Sequence, residues 1–378
     1  MAIESGLLEQ GFFKIESAYR TVPTLAATDA FRFNQMSLTA KLNREPSPEM
    51  RGTPDEAQSL PRRRSQGFDL SSMTWEPSGT LGTASDISDL IKGGFGARTT
   101  PGVVAEVQTS PTATGCTLYD ASGLAVGDLI VATVGSGARR EITRIKTIST
   151  NDITYDDLSA APDVGAGKIV SGVNYKLASS LTDSFSIFKY LLAGGFKQAV
   201  YGAIVNRIQL TFDGTKEAMI AISGPAGEYA RSGVQSKPST YTTAGAPVGG
   251  MVGNFYVGTS AFLVQSAEIT LENNLDLRNN ELGTQWASGF FRTNKRQIRV
   301  RVSFYLEDTT LIAAAEGVTT SVLRLVVGDT NGSMLGAFMP AVEWEIPDVG
   351  NEVGPKVLTI EGKAYAPSGN DALYLCEA

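Results

Sequence analysis

Two stretches of the chain share an alternation of apolar and polar residues that is typical of half-buried β-strands. Residues 266–284 read SAEITLENNLDLRNNELGT, and residues 34–53 read NQMSLTAKLNREPSPEMRGT. In both, apolar residues first occupy every second position, a polar segment follows, and the stretch ends on Gly-Thr. Because the side chains of a strand alternate between its two faces, each stretch predicts a strand that leads into a long loop.

The elements that follow each stretch come in the same order. Residues 62–75 and residues 294–306 both alternate in polarity and predict an amphipathic strand. Residues 77–96 and residues 307–317 then predict a short helix that ends at a glycine, near Gly93 in one and at Gly317 in the other. Each predicted helix is preceded by residues that could cap it, namely Ser85 or Asp86 and Asp308 or Thr309.

A final hairpin completes the repeat. Residues 202–230 align with residues 336–366, with an offset of 134 positions in the first strand and 138 in the second. This difference predicts a hairpin loop that is four residues longer in the second copy. The chain therefore contains two units of one design, in which a strand, a long loop, a strand and a helix are followed by a hairpin.

The first unit contains an extra segment that the second lacks. From Met36 to Gly202 is 166 residues, whereas from Ile269 to Gly336 is 67. Most of the excess lies in residues 103–175, where short Val, Ile and Thr runs are separated by turn signals, as in a small barrel or sandwich. We therefore predict a mainly β protein of two β-sandwich units, each with a short helix and a long hairpin loop, plus an inserted β-barrel. The predicted segments are 1–102 and 176–230 (first unit), 103–175 (insert), 231–265 (connecting arm) and 266–378 (second unit).

Composition excludes several kinds of chemistry. Histidine is absent from the 378 residues, which removes Ser-His and Cys-His nucleophiles and imidazole metal sites. Cys116 and Cys376 lie far apart and predict neither a disulfide framework nor a metal cluster. The net charge of −7 argues against a protein that mainly holds nucleic acid by its phosphates. No apolar run approaches 18 residues, so we expect no membrane insertion, and we expect no cofactor.

Carboxylates remain available for catalysis. Neighbouring acids occur at Asp156-Asp157, at Glu307-Asp308 and at Glu343 and Glu345. Paired carboxylates are the basis of glycosidase chemistry, so a carbohydrate-binding or glycosidase-type β protein is an alternative interpretation. Paired acids on solvated turns or strand faces are seldom catalytic, and we expect that the protein is not an enzyme.

Two long polar loops are the candidate assembly sites. Residues 43–66 contain four prolines and charges of both signs, and residues 272–295 contain three aromatic residues. Loops of this length inside compact domains are usually functional or disordered. The candidate residues are Arg44, Glu45, Glu49, Arg51, Asp55, Glu56, Arg62, Arg63 and Arg64 in the first loop, and Asp276, Arg278, Glu281, Trp286, Phe290 and Phe291 in the second.

Four segments resemble the tail tube proteins of long-tailed bacteriophages. They are KIESAYRTVP (14–23), PSGTLGTASDISDLIKGGFG (77–96), YGAIVNRIQLTF (201–212) and LENNLDLRNNELGT (271–284). The resemblance covers most of the chain outside residues 103–175. It implies that six such units form a ring whose inner sheets join into one barrel, and that stacked rings form the tube that conducts DNA into the host. A hub or terminator component with the same fold is an alternative within this class.

The duplication then suggests that three chains supply the six units of a ring. The resemblance further implies contacts with the tape measure protein and with tail tip and terminator proteins, in a virion assembled in the cytoplasm of the bacterial host. The long loops would join adjacent rings, and the insert would lie outside. Because DNA must pass without being held, we expect a neutral to acidic channel. We therefore place the face of Arg299 and Arg301 either at an interface or on the outer surface.

Overall fold

The computed structural model describes residues 9–45, 60–136, 139–191, 196–282, 286–306, 310–317, 319–347 and 357–378. Within these ranges the protein is mainly β, as the alternating patterns predicted. The helices are α1 (Ser88–Phe95) and α2 (Thr310–Glu316), and a 3₁₀ turn covers Ala27–Asp29. In chain order the strands are β1 (Glu9–Ile15), β2 (Ala30–Phe31), β3 (Gln35–Glu45), β4 (Leu60–Thr74), β5 (Gly96–Thr99), β6 (Val103–Val107), β7 (Gly115–Thr117), β8 (Leu129–Val134), β9 (Arg139–Ser149), β10 (Asp152–Tyr155), β11 (Gly165–Ser171), β12 (Val173–Leu177), β13 (Phe185–Leu191), β14 (Lys197–Ala203), β15 (Arg207–Asp213), β16 (Met219–Pro225), β17 (Glu228–Ala230), β18 (Gly253–Val257), β19 (Ser260–Phe262), β20 (Val264–Glu272), β21 (Leu275–Leu277), β22 (Phe290–Arg292), β23 (Gln297–Tyr305), β24 (Thr320–Val327), β25 (Leu335–Trp344), β26 (Val357–Ala364) and β27 (Tyr374–Glu377).

One large sheet contains the same pairing order twice. Strands β3, β4, β16 and β15 are neighbours in that order, and β20, β23, β26 and β25 repeat it. Strands β15 and β20 join the two sets through seven antiparallel residue pairs, from Arg207 opposite Glu272 to Asp213 opposite Ser266. We call the sheet that runs from β25 to β3 the shared sheet.

A second layer covers one face of the shared sheet. Beside the first set it is a five-stranded sheet of β17, β14, β13, β1 and β2. Beside the second set it contains β18, β24, the first part of β25, β27, β12 and β5. Apolar side chains of both layers and of α1 form one continuous core. Strands β5 and β12, which flank the predicted insert, thus lie in the layer beside the second set.

The residues between β5 and β12 form a separate barrel. Strands β6, β11, β8, β9, β10 and β7 are neighbours in that order, and Val107 pairs with Leu118 to bring the two ends together. The barrel has its own apolar interior. A second apolar cluster packs it against the outer side of the second layer, and this cluster includes Ile142 of the barrel and Phe338 and Cys376 of the layer. A Cβ on Gly336 would lie 2.4 Å from Ile142 Cδ1, so this glycine allows the close approach.

The helix boundaries correct one prediction. Helix α1 begins at Ser88 after Ile87, which makes no side-chain cap, and ends at Phe95 rather than near Gly93. The capping role predicted for Ser85 or Asp86 is therefore wrong. The Ser85 hydroxyl instead donates to Glu377, 292 positions away. The second predicted cap, Asp308 or Thr309, lies outside the described residues.

The strand register of the second hairpin corrects a second prediction. The predicted offsets place Val342 opposite Ile360, because Ile208 lies opposite Ile222 in the first copy. The structure places Val342 opposite Ala364 and Trp344 opposite Gly362. If Gly224 and Gly362 are equivalent, both strands of the hairpin are offset by 138, and the predicted longer loop is not needed.

Glu377 is a buried carboxylate that ties β27 to three other segments. Its Oε1 accepts hydrogen bonds from Trp75 Nε1 at 2.9 Å, Ser85 Oγ at 2.7 Å and Tyr175 OH at 3.0 Å. Its Oε2 accepts the Ser85 backbone N–H at 3.1 Å. Burial raises the pKa of the Glu377 carboxyl above its ordinary value, although these donors oppose the shift.

The variant Glu377→Gln tests this arrangement. The amide NH₂ cannot accept the Ser85 N–H, so we expect a loss of about 1–3 kcal/mol in acid. The pKa of Glu377 is higher in the folded protein than in the unfolded chain, so protonation of this carboxyl stabilises the fold. This stabilisation is fully present below the ordinary glutamate pKa and is lost as pH rises through the folded-state pKa. The advantage of the native protein over the variant should therefore narrow as the pH rises above the ordinary glutamate pKa, measured by urea unfolding. An advantage that widens with pH would contradict the raised pKa.

Candidate functional site

The first candidate loop connects β3 and β4, which pair as far as Glu45 opposite Leu60. The backbone of five candidate residues continues these strands, while nothing is described of their side chains; they are Arg44, Glu45, Arg62, Arg63 and Arg64. The other four, Glu49, Arg51, Asp55 and Glu56, lie outside the described residues.

The second candidate loop folds back onto its own chain. Strands β21 and β22 form a small hairpin whose Leu275 and Leu277 pack with Ile204. Arg278 and Glu281 of this loop form an ion pair at 2.5 Å. The Asp276 carboxylate accepts the N–H of Leu277.

The aromatic candidates of this loop divide into two kinds. The guanidinium of Arg20 lies 5.9 Å from the Trp286 ring centroid, and the Tyr19 ring lies 6.1 Å from that of Phe290. These two aromatic residues therefore contact the first unit. Phe291 is 47% exposed and is available to another molecule.

Glu16 explains why Tyr19 and Arg20 are held beneath this loop. Its carboxylate accepts the N–H of Arg20 at 2.7 Å and the N–H of Gly202 at 2.8 Å. The hydroxyls of Ser184 and Ser186 donate to it at 2.7 Å each. The segments KIESAYR and YGAIVNR, which are far apart in sequence, thus meet at one buried carboxylate.

A basic cleft of about 600 Å³ lies at the base of the second loop. Arg292, Lys295 and Arg296 line it, and no acidic side chain is among its described lining residues. Arg296 donates to Asn273 Oδ1 at 3.0 Å and to the Ala178 carbonyl at 2.8 Å. Burial and then the nearby charge of Arg292 lower the pKa of Arg296 to about 10. The cleft can accept a carboxylate from another molecule, and sequence reasoning missed it, although the TNKR sequence at 293–296 was a signal.

The open face of the shared sheet, opposite the core, is polar. Arg299 and Arg301 point to this face from β23, because Ile298, Val300 and Val302 between and beside them are buried in the core. Arg301 lies between Glu268 on β20 and Glu361 on β26 in the strand register, and its Nε is 3.6 Å from Glu361. On the neighbouring strands Arg207 Nε lies 3.9 Å from Glu272.

The neighbouring carboxylates do not form a metal site in the described structure. Asp156 is held by Arg144 at 3.1 Å and by Lys146 at 2.9 Å. Within the described ranges, no three Cys, Asp or Glu side chains converge as metal ligands would. Glu307 and Asp308 lie outside those ranges.

The comparison with known families agrees with this architecture. The model of the phage tail tube protein family matches residues 6–373. The chain belongs to this family. The match spans the two sets of strands, the basic cleft, the barrel and both candidate loops. No curated protein matches the sequence.

Membership gives the tail tube protein a structural role in the phage tail and makes it a component of the virion. In the described part of the chain, no helix is both long enough and apolar enough to cross a membrane.

Proposed function

We propose that three copies of this tail tube protein close into a ring of six units, and that the rings stack into the tube through which DNA enters the host. The observation that carries the proposal is the pairing of β15 with β20, which joins two equivalent sets of strands into one sheet within a single chain. In the proposal, residues 1–102 and 176–230 form the first unit and residues 266–378 the second. The insert is 103–175 and the connecting arm is 231–265.

The same contact can recur between chains. In the described part of the chain, strand β3 ends the shared sheet and its outer edge pairs with no other strand. At the other end of the shared sheet, β24 already pairs with Val342 and Glu343 of β25. The edge of β25 can therefore accept a new strand only beyond Glu343. A head-to-tail contact between these two edges buries both of them and closes a ring.

The strand register predicts which residues meet at this contact. Gly224 pairs with Phe68, which lies opposite Leu38. The equivalent Gly362 pairs with Val300, which lies opposite Ile269. Leu38 of the first set is therefore equivalent to Ile269 of the second. Counting residues along the strands from these pairs makes Lys41 equivalent to Glu272, and Glu345 equivalent to Arg207. The pair Arg207 and Glu272 within the chain therefore becomes Glu345 and Lys41 between chains, with the charges reversed and both side chains exposed.

Stacking would use the two long loops. Both extend from the same end of the shared sheet, beyond the β3–β4 and β20–β23 pairs. In the proposal the charged candidates of residues 43–66 and the exposed Phe291 contact the adjacent ring, and the basic cleft accepts an acidic side chain from it. Single exposed ion pairs contribute about 0–1 kcal/mol, so adhesion depends on repetition around the ring. Tape measure, tail tip and terminator proteins then contact the assembled tube, which forms in the host cytoplasm.

A disulfide between chains tests the ring. The double variant Lys41→Cys/Glu345→Cys places two thiols opposite each other in antiparallel strands, within bridging distance. After mild oxidation of assembled protein, we expect covalent species of two and three chains and none larger on a denaturing gel. Cys116 and Cys376 are buried and should not interfere.

The control shifts one thiol along the strand. Ser37→Cys/Glu345→Cys moves it by four residues, about 13 Å, and should give no cross-link. A ladder that extends to six chains would replace the trimer with a ring of six chains, and a cross-link in the control alone would show a different register. Closed rings that never stack under electron microscopy would favour a terminator or hub component.

A further inference from the structure

We infer that the basic cleft at the base of the second loop binds the first candidate loop, residues 43–66, of the neighbouring chain, and that Asp55 and Glu56 of that loop supply the carboxylates. The inference rests on the proposed ring. It assigns the acidic partner of the cleft to the neighbouring chain of the same ring and not to the adjacent ring.

The positive charge of the cleft is not balanced by its own described lining. Arg292, Lys295 and Arg296 line it, and the other described lining residues are uncharged. Arg296 donates to two neutral oxygens, those of Asn273 and of the Ala178 backbone. Burial and the charge of Arg292 both lower the pKa of Arg296, and carboxylates brought by another molecule would offset them.

The equivalent place in the first unit is filled. The offset of 138 makes Ala366, which lines the cleft, equivalent to Glu228, and Glu228 Oε2 accepts a hydrogen bond from Arg20 Nε at 3.2 Å. Arg20 belongs to residues 16–29, which connect β1 and β2. Strands β18 and β19 take the same places beside β24 that β1 and β2 take beside β13, but only residues 258–259 connect them. In the described structure, the place that Arg20 fills in the first unit is therefore an open cleft in the second.

The second loop shows what covers this place within the chain. It starts from the second unit, and the ring of its Trp286 lies 5.9 Å from the guanidinium of Arg20 in the first. The Ala287 carbonyl accepts a hydrogen bond from Arg20 at 3.5 Å. The loop thus crosses the contact between β15 and β20. The proposed contact between β3 and β25 of two chains repeats this arrangement, and it places the first loop of one chain over the second unit of the other, where the cleft lies.

Two acids of the first loop correspond to the residues that cover Arg20. Between the equivalent strand positions, the first loop is one residue shorter than the second. Counted from either end, Asp55 and Glu56 take positions equivalent to residues 286–288. Both acids lie outside the described residues. Their two negative charges complement the three cations of the cleft, as paired charges across a specific interface do.

The first loop is long enough to reach the cleft. Strands β3 and β4 pair as far as Glu45 opposite Leu60, and residues 46–59 connect them. Half of that segment, about seven extended residues, spans about 23 Å, whereas a set of four strands is about 19 Å wide. The segment can therefore cross the neighbouring set of strands.

The double variant Glu56→Cys/Lys295→Cys tests the contact. Mild oxidation of assembled protein should give disulfide-linked species of two and three chains on a denaturing gel and none larger, because the proposed ring contains three chains. If the cleft holds a loop of the adjacent ring, the cross-links join rings and the ladder extends beyond three chains, which overturns the inference. Loss of both thiols within single chains overturns it as well.

The matched control, Glu49→Cys/Lys295→Cys, places the thiol at another acid of the same loop. Counted forward from the strands, Glu49 corresponds to Asn280, which is exposed, so this variant should cross-link about tenfold more slowly. Equal rates would overturn the inference. The ring is tested separately by Lys41→Cys/Glu345→Cys. A cross-link there without one between positions 56 and 295 overturns the inference and leaves the ring intact, and failure of both overturns both.

Exchange of the charges gives a second measurement. Asp55→Lys/Glu56→Lys brings cations to cations, and it should raise the protein concentration at which half of the chains are in rings by about tenfold or more, measured by sedimentation. Adding Arg292→Glu/Lys295→Glu should restore most of the assembly. Arg296 is kept, because it also bonds within the chain. No effect of the first change, or no recovery with the second, would overturn the inference.

Discussion

Replacing Arg324 with methionine is expected to lower the free energy of unfolding by about 3–5 kcal/mol, because it leaves the Glu141 carboxylate buried without its counter-charge. Arg324 NH1 lies 3.2 Å from Glu141 Oε2, and the side chains are 1% and 0% exposed. Arg324 also donates to the Gly258 carbonyl and lies 5.5 Å from the centre of the Tyr256 ring. This ion pair joins the inserted barrel to the second layer, so its loss should loosen the barrel first.

The double variant Glu141→Leu/Arg324→Met distinguishes a buried charge from a lost contact. Removing both charges should recover most of the stability, since apolar replacements of buried pairs are often neutral or stabilising. Urea unfolding of the native protein, Arg324→Met, Glu141→Leu and the double variant gives the coupling energy of the pair. The exposed pair Arg278–Glu281 supplies the comparison, and Glu281→Gln should cost less than about 1 kcal/mol. If Arg324→Met alone costs as little as Glu281→Gln, the buried pair contributes no more to stability than an exposed one, which would contradict the prediction.

The second large effect is expected at Gly224, where alanine should cost about 3 kcal/mol or more. A Cβ at this position would lie 1.8 Å from the Ile204 carbonyl oxygen and 3.0 Å from the Asn206 nitrogen, and both are backbone atoms. The strand cannot accept the methyl group unless the backbone between β14 and β15 moves.

The equivalent glycine of the second unit is the control. At Gly362 the nearest atoms are side-chain atoms, Val342 Cγ1 at 2.8 Å and Trp344 Cε3 at 2.9 Å, and the nearest backbone atom, the Glu343 carbonyl oxygen, is 3.1 Å away rather than 1.8 Å. Gly362→Ala should therefore cost about 1 kcal/mol. Urea midpoints and soluble yields of the two variants provide the measurement, and a larger loss at Gly362 would contradict the assigned cause.

The sequence predicted the strands well where one face of a strand is buried. In β20 and β23 each buried apolar residue is followed by a polar one, and a shift of one residue would turn the apolar side chains to solvent. The hairpin register was predicted wrongly for the same reason. A shift of four residues keeps every side chain on its face, so the alternation around Val342 and Trp344 could not reveal it.

The sequence could not reveal contacts between distant residues, and one wrong prediction has this cause. Ser85 has the right type and place for a helix cap, but a carboxylate 292 positions away takes its hydroxyl. The contacts of Trp286 and Phe290 with the first unit were not predicted, because their partners, Arg20 and Tyr19, lie near the start of the chain. The charge pairs of the open face also join residues on different strands, and their spacing along the chain carries no signal of their proximity.

The pairing of β15 with β20 inside one chain has a consequence for assembly by mass action. Half of the contacts around the proposed ring are made during folding, so the polypeptide link replaces three association steps between free molecules with intramolecular ones. The equilibrium population of rings then rises with the third power of protein concentration, whereas a ring of six single units would follow the sixth power. Dilution of this protein therefore removes rings far less steeply.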